Sequence, residues 1–307
     1  MKKIGLWIPS RENYSSISIE KPGMFIEKFK KDIMEILKKQ KNVKIIEDLD
    51  FRKAIVKNGE VFLGDFCFSD LDIFFWIGQI DVFQTSYDIE ILETIAKKTK
   101  VINDPKALKI RLDKYLSQIT LKQNNIKVPE FILISPNKIE EIKSIVERKT
   151  FIIKPRFGSF GSGIMKINNY QNLADIVDYS NKKSHFLEEF IEFDFNDWIG
   201  INVINGKIIY GYGKEDSTIK GWKVFDRERK GGKMILRKPS KEQEKIALKV
   251  AKVTGLDFFG IDIIKSKQGQ NYVIDVNTFP GLYPEMFLAA KVNGAKHIAN
   301  LILKNSK

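Results

Sequence analysis

Two rhythms of apolar residues run through the 307-residue chain. Runs with the length of a buried strand alternate with stretches in which apolar residues recur every three or four positions. Lys3–Pro9 is the first such run. From Gly23 to Lys39, Phe25, Phe29, Ile33 and Ile36–Leu37 keep helical spacing, and Val43–Glu47 reads as a strand. Asn58-Gly59 marks a tight turn ahead of Val61–Phe68. Leu71–Ile77 is a buried strand, Tyr87–Lys98 an amphipathic helix and Lys100–Asn103 a short strand. This alternation over about 100 residues predicts a parallel α/β unit.

Asp104-Pro105 opens the next helix, with Asp as N-cap and Pro at the first helical position. Leu108, Leu112, Tyr115 and Ile119 predict one continuous helix as far as Asn124-Asn125, with Arg111 and Lys114 off its apolar stripe. Val128–Ile134 is a strand, and Ser135-Pro136 opens a helix to about Arg148. Phe151–Lys154 and Ile164–Ile167 are strands around a glycine-rich loop, and a helix is expected near Asn172–Tyr179. Asp197–Ile204 and Lys207–Tyr212 form a hairpin about Asn205-Gly206. Ser240 with Gln243 makes a capping box for a helix ending at Gly255, and Pro284–Leu303 closes the chain as one helix. No internal repeat, low-complexity tract or long linker interrupts the pattern.

The chemistry gathers on Phe258–Gly281. Phe258–Ile264 and Tyr272–Val276 are strand-like runs around the polar Lys265–Asn271, and Asp262 and Asp275 interrupt them. If the two acids face each other, the hairpin is centred between Gln268 and Gly269, inside the polar segment. Asp275 and Asn277 share a face because they are two apart on a strand. Oxygen ligands without histidine or cysteine suit magnesium, most often with a nucleotide phosphate. Read by itself, the stretch also fits a hairpin with solvated acids on its outer face.

Residues 151–167, FIIKPRFGSFGSGIMKI, place Lys154 before Gly158, Ser159, Gly161 and Gly163. Glycines let backbone N–H groups approach phosphate oxygens while lysine supplies charge; an incidental hairpin loop is the alternative. The order is not that of a Walker loop, which ends in Gly-Lys-Ser/Thr. His185–Phe193, HFLEEFIEF, suits a hinge whose backbone binds a base edge, or equally a charged edge strand. Lys214–Lys233 is long, basic and short of core residues, as functional loops often are.

Composition narrows the classes. Lys and Arg number 52 against 39 Asp and Glu, a net charge of +13. That favours anionic partners: nucleotides, acidic peptides, an acidic carrier protein or nucleic acid. No basic block is interleaved with aromatics, which argues against specific nucleic-acid binding. No apolar run approaches the roughly 18 residues of a membrane span, and the N-terminus lacks the core of a signal peptide, so the cytoplasm is the expected compartment. Cys67 has no second cysteine to pair with and reads as a buried thiol. His185 and His297 stand apart from each other, which argues against metal ligation.

Taken in order, these pieces resemble the ATP-grasp superfamily, and most closely its RimK-like and glutathione-synthetase-like carboxylate–amine ligases. The resemblance covers roughly residues 100–303. It implies an α/β fold with α+β grasp lobes after a Rossmann-like pre-ATP-grasp domain: 1–103, an N-terminal grasp lobe with the phosphate lid at 104–185, and a C-terminal lobe with the metal site at 186–307. Lys114 and Lys154 match the nucleotide-binding lysines, and Gly158, Ser159, Gly161 and Gly163 the lid. Glu189, Phe190 and Ile191 match the adenine hinge, and Asp197, with Asp194 as rival, the ribose acid. Asp262, Asp275 and Asn277 match the magnesium ligands. Asp275 departs from the common glutamate by one methylene, which puts two-metal geometry in doubt. Lys223, Arg227 and Arg229 are the catalytic candidates, on a loop that aligns loosely.

The implied reaction joins a carboxylate to an amine through an acyl phosphate, with ATP and Mg2+ (or Mn2+) and release of ADP and phosphate. The expected substrates are small-molecule or peptide-like and acidic; a homo-oligomer is compatible with the sequence. The alternative is a non-catalytic nucleotide-binding regulatory or scaffold protein on the same fold. Neutralising Lys154 or Asp275 is expected to abolish turnover and leave the fold intact.

Overall fold

The computed structural model describes residues 1–9, 23–78, 80, 86–133, 135–158, 161–179, 185–215, 222, 233–278 and 284–305. The chain begins with β1 (Lys2–Trp7), α1 (Gly23–Lys38) and β2 (Val43–Ile46). A small antiparallel sheet follows: β3 (Ile55–Lys57), β4 (Glu60–Leu63) and β5 (Phe66–Cys67). Its first turn is Asn58-Gly59, both residues at positive φ as the sequence predicts. β6 (Ile73–Trp76), α2 (Tyr87–Ile95) and β7 (Lys100–Ile102) complete a parallel sheet of order β2-β1-β6-β7. Ile73–Trp76 are all buried, so this strand is covered on both faces, as parallel sheets require.

The predicted helix after Asp104 is two helices, α3 (Pro105–Leu112) and α4 (Lys114–Gln123). Asp113 leaves the helical region (φ −90°, ψ 104°) and its carboxylate caps α4 through the N–H groups of Tyr115 and Leu116. Arg156 donates to both Asp113 oxygens, each 3.1 Å from Nε, and its carbonyl accepts the Lys114 N–H. The apolar stripe continues across the break, so periodicity alone does not reveal it.

β8 (Phe131–Ile132), α5 (Lys143–Val146), β9 (Phe151–Pro155), β10 (Met165–Ile167), α6 (Tyr170–Tyr179) and β11 (His185–Glu189) make a second, antiparallel sheet of order β10-β9-β11-β8. The segment after Ser135 runs as 3-10 turns over Pro136–Ile142 before the single turn of α5, where the sequence predicts one longer helix. β11 pairs with β9 and β8, so it belongs to this sheet and does not open the C-terminal lobe as the boundary at 186 supposes.

The third sheet is antiparallel: β12 (Phe193–Ile204), β13 (Lys207–Glu215), β14 (Lys233–Leu236), β15 (Phe258–Ser266) and β16 (Asn271–Asn277), in the order β14-β13-β12-β15-β16. Between β14 and β15 lies α7 (Lys241–Thr254), which starts on the Ser240/Gln243 capping box and stops at Gly255 in the left-handed region. The final segment is α8 (Pro284–Ala289) and α9 (Gly294–Asn305), separated at Lys291 (φ 55°) where one helix is predicted.

Two apolar cores join the first and third sheets. Trp7, Phe51 and Phe74 share one with Ile201, Phe259 and Val276; Ile4, Ile33 and Phe75 share the other with Phe258 and Ile302 of α9. Buried Asn103 pins the seam. Its Nδ2 donates to the Phe258 carbonyl at 2.7 Å, and its Oδ1 accepts from the N–H groups of Asp257 and Phe258. The second sheet packs its own smaller core of Phe151, Ile153, Ile167, Leu173 and Leu187.

Candidate active site

The site forms where the second and third sheets meet. Asp262 lies directly opposite Asp275 and Gly260 opposite Asn277, the register the hairpin centre predicts. Past Asp262 the pairing shifts by one residue, leaving Ile274 as a bulge. The Ile274 carbonyl instead accepts a hydrogen bond from Lys154 at 3.2 Å. Gly200 of β12 faces Asp262 from the other side. A Cβ there would fall 2.3 Å from the Tyr212 ring, so only glycine lets that ring lie over the strand.

The break at Asp113 aims α3 and α4 at the hairpin. Lys114 Nζ lies 2.9 Å from both carboxylate oxygens of Asp275. Arg111 donates from Nε to the Val276 carbonyl (3.0 Å) and from Nη2 to Asn277 Oδ1 (3.3 Å). Lys154 is buried, with Nζ on Glu188 Oε1, while Gln118 donates to the other oxygen of Glu188 at 2.8 Å. On the same face, buried Lys214 stands over the Trp198 ring.

The charges are tightly coupled. Burial, then the neighbouring Asp275 charge, pushes the Asp262 carboxyl up to about 7, against the pull of Lys214, Lys114 and Lys154. For Asp275 burial also acts upward, but Lys114, Arg111 and Lys154 outweigh it and hold the carboxyl below the usual range. Glu188 is raised by burial despite Lys154, and Arg111 is lowered by burial. Among the described residues, then, Arg111, Lys114, Lys154 and Lys214 surround Asp262, Asp275 and Glu188.

Asp262, Asp275 and Asn277 offer only oxygen donors, the chemistry a hard divalent cation takes. Among the described residues no cluster holds three His, Cys, Asp or Glu side chains placed for a metal, so the carboxamide of Asn277 is needed to reach three protein ligands. Half-buried Asp262 facing a second carboxylate on Asp275 is the observation that favours a cation here, since two ionised acids held together away from water are costly without one.

Other candidates take their places around this cluster. Gly158, Gly161 and Gly163 all have positive φ, at 131°, 64° and 73°. The loop turns back at once into β10, which pairs with β9. Glu189, Phe190 and Ile191 form the crossing from β11 to β12, with the Phe190 N–H bonded to the Thr150 carbonyl and Glu189 paired with Lys149 at 3.3 Å. Phe190 carries Lys166 3.7 Å above its ring and meets Trp222 edge-on. Asp194 and Asp197 are exposed at the start of β12 and both act on Arg237. Ser159, Lys223, Arg227 and Arg229 lie outside the described residues.

Glu188 and Gln118 are site residues that the motif reading passes over, and Lys214, expected at the head of the basic loop, lies in β13. Parity held the signal for the first: Glu188 faces Ile152 across the sheet, one side-chain step along from Lys154. Arg111 stood out only as a cation off the apolar stripe.

A family model described as the RimK-like ATP-grasp domain matches residues 111–302. Coenzyme gamma-F420-2:alpha-L-glutamate ligase of Methanococcus maripaludis is 29% identical over 203 residues, which span 64% of this chain and 67% of that protein. A probable alpha-L-glutamate ligase of Legionella pneumophila is 28% identical over 220 residues, 70% of each chain. A RimK domain ATP-grasp protein of Sphaerobacter thermophilus has the same fold, with a TM-score of 0.68 at 12% identity over 99% of this chain and 100% of that one. The family match runs from Arg111, at the end of α3, through Lys114 to the last helix, so this chain belongs to the RimK-like ATP-grasp family and is an ATP-dependent carboxylate–amine ligase.

Proposed function

We propose that the chain joins an acidic amino acid of the glutamate class to a small-molecule or peptide partner through an acyl phosphate. The observation that carries this is the facing pair Asp262/Asp275 held among Lys114, Lys154 and Lys214 at the meeting of two sheets. The related glutamate ligases support the acidic substrate. The net charge of +13 suits it as well.

Lys114 and Lys154 would bind nucleotide phosphates, and the backbone N–H groups of the glycine loop, with Gly158, Ser159, Gly161 and Gly163, are the proposed cover over them. The Glu189–Ile191 backbone would take the adenine edge, and Asp197 or its neighbour Asp194 the ribose. Four cations among three carboxylates leave the cluster about one positive charge, too little for the roughly four negative charges of ATP. Mg2+ held by Asp262, Asp275 and Asn277 would supply the remaining charge neutralisation.

In the first step a substrate carboxylate oxygen attacks the γ-phosphorus and the bond to ADP breaks. Lys154 and Lys214 neutralise charge on the transferring group. The amine nitrogen then attacks the acyl carbon, phosphate leaves, and an amide remains. Lys223, Arg227 and Arg229 are the proposed cations for the acyl phosphate and its acidic partner.

Incubation with ATP, Mg2+ and an 18O-carboxylate donor pool containing glutamate and glutamyl peptides tests both halves. The expected result is substrate-dependent ADP release with one 18O in the phosphate. Phosphate free of 18O refutes the acyl phosphate, and turnover only with neutral or basic acids and amines refutes the acidic substrate class.

A further inference from the structure

Resting on the metal assignment just made, one arrangement at Asp275 goes beyond it. Lys114 takes both oxygens of that carboxylate at 2.9 Å. Arg111 takes Asn277 Oδ1, the carboxamide oxygen a cation would need. The Lys114 side chain is only 14% exposed, so this contact is a partly buried ion pair and not a fluctuating surface one. Lys114 opens α4, fixed by the Asp113 cap and by its own N–H on the Arg156 carbonyl at the base of the glycine loop. Its backbone is therefore held, and only the flexible side chain is left to choose a partner.

We infer that Lys114 is an internal counter-ion that competes with the divalent cation for Asp275 and is drawn off by nucleotide phosphate, so that metal loading at Asp262/Asp275/Asn277 is conditional on nucleotide. A carboxylate with both oxygens on an ammonium has lost the charge that attracts a cation. A phosphate arriving at the glycine loop offers the ammonium a stronger anion. By linkage, whatever free energy the phosphate gains from Lys114 is coupled to the release of Asp275, and the coupling is reciprocal.

Binding measurements separate this from a plain charge effect. Mn2+ is titrated into nucleotide-free protein and free Mn2+ is read by electron paramagnetic resonance. Lys114→Gln is expected to bind Mn2+ at least about tenfold more tightly than the wild type. Lys154→Gln removes the same charge nearby but breaks no bond to Asp275, and its gain is expected to be well under half as large on a logarithmic scale. Equal gains in the two variants, or no gain in Lys114→Gln, overturn the inference.

The reciprocal experiment stands even if Lys114→Gln fails to fold. In EDTA at pH 8, ADP binding is followed by calorimetry. Asp275→Asn frees the lysine and is expected to tighten ADP several-fold more than Asp262→Asn, which removes a like charge not bonded to Lys114; equal effects overturn the inference. Failure of the metal assignment itself reads differently: Mn2+ bound in the presence of ADP would then be the same in the wild type, Asp262→Asn and Asp275→Asn.

Discussion

Lys154→Met unpairs a buried acid. The Lys154 and Glu188 side chains are 8% and 1% exposed, and among the described residues the Gln118 amide is the hydrogen-bond partner Glu188 keeps once the ammonium is gone. At an effective dielectric near 20 the attraction is about 4 kcal/mol for charges about 4 Å apart and larger at this closer contact, and removing one partner of a buried pair typically costs about 3–5 kcal/mol. Protonation of Glu188 sets a ceiling. Taking a carboxyl of ordinary pKa near 4.5 to its neutral form costs about 3.4 kcal/mol at pH 7 and about 0.7 kcal/mol at pH 5.

The sign follows from the direction of the shift. Burial already raises Glu188 above its unfolded value and Lys154 opposes that rise, so the variant pushes it higher. The folded variant then binds more protons than the unfolded chain between about 4.5 and its new pKa, and loses stability as pH rises through that window. Urea unfolding should therefore show a deficit of at most about 3 kcal/mol at pH 7, less whatever rise the wild-type Glu188 already carries, that shrinks to under about 1 kcal/mol at pH 5, at constant m. Lys154→Met/Glu188→Gln should recover most of the loss at pH 7 while turnover stays absent. A pH-independent deficit, or no recovery in the double variant, refutes the reasoning. The expectation that Lys154 can be neutralised without disturbing the fold gives way here, because this lysine is a buried partner and not an exposed loop cation.

Asp262→Asn should stabilise the metal-free protein in EDTA. The wild-type carboxyl is raised from 3.8 to about 7, so its penalty grows from about pH 4 to pH 7 and levels off above, with a ceiling near 4 kcal/mol; a melting-temperature gap that is flat from pH 5 to 8 would count against it. Asn103→Ala should cost about 2–4 kcal/mol in urea unfolding, since it leaves two buried backbone groups of Phe258 and the part-buried N–H of Asp257 without this partner. A loss under 1 kcal/mol would show that water replaces the amide. Arg156→Ala should cost about 2 kcal/mol by taking the guanidinium from fully buried Asp113, and should raise KM for ATP more than it lowers kcat. A pure kcat effect would detach this pair from the placement of Lys114.

The acidic hairpin was the most legible part of the chain, because turn chemistry and the position of two interruptions jointly determine a register. Asp262 opposite Asp275 is what that register produces. The Ser240 capping box was legible for the same local reason. The break at Asp113 was not. A helical stripe survives a one-residue interruption, and the decisive bonds come from Arg156, 43 residues away. Glu188 was hidden similarly: of two adjacent glutamates, strand parity picks the buried one, but only after β9 and β11 are known to be neighbours. The break near Lys291 was signalled by Asn293-Gly294, where Asn293 Oδ1 accepts the Lys296 N–H and caps the last helix, but the apolar spacing runs through it and masked the signal.

The unequal division of the apolar cores bears on how such a chain could be recombined. The first and third sheets share two cores and the Asn103 seam, so an exchange of the N-terminal unit with a relative would have to recut both cores at once. The sheet that carries Lys154 and the glycine loop has a core of its own and leaves through the short crossing at Glu189–Ile191. That makes it the natural cassette for chimeras. Nucleotide handling could be transplanted with it, provided Glu188, Gln118 and the Arg156–Asp113 pair travel or are matched in the host.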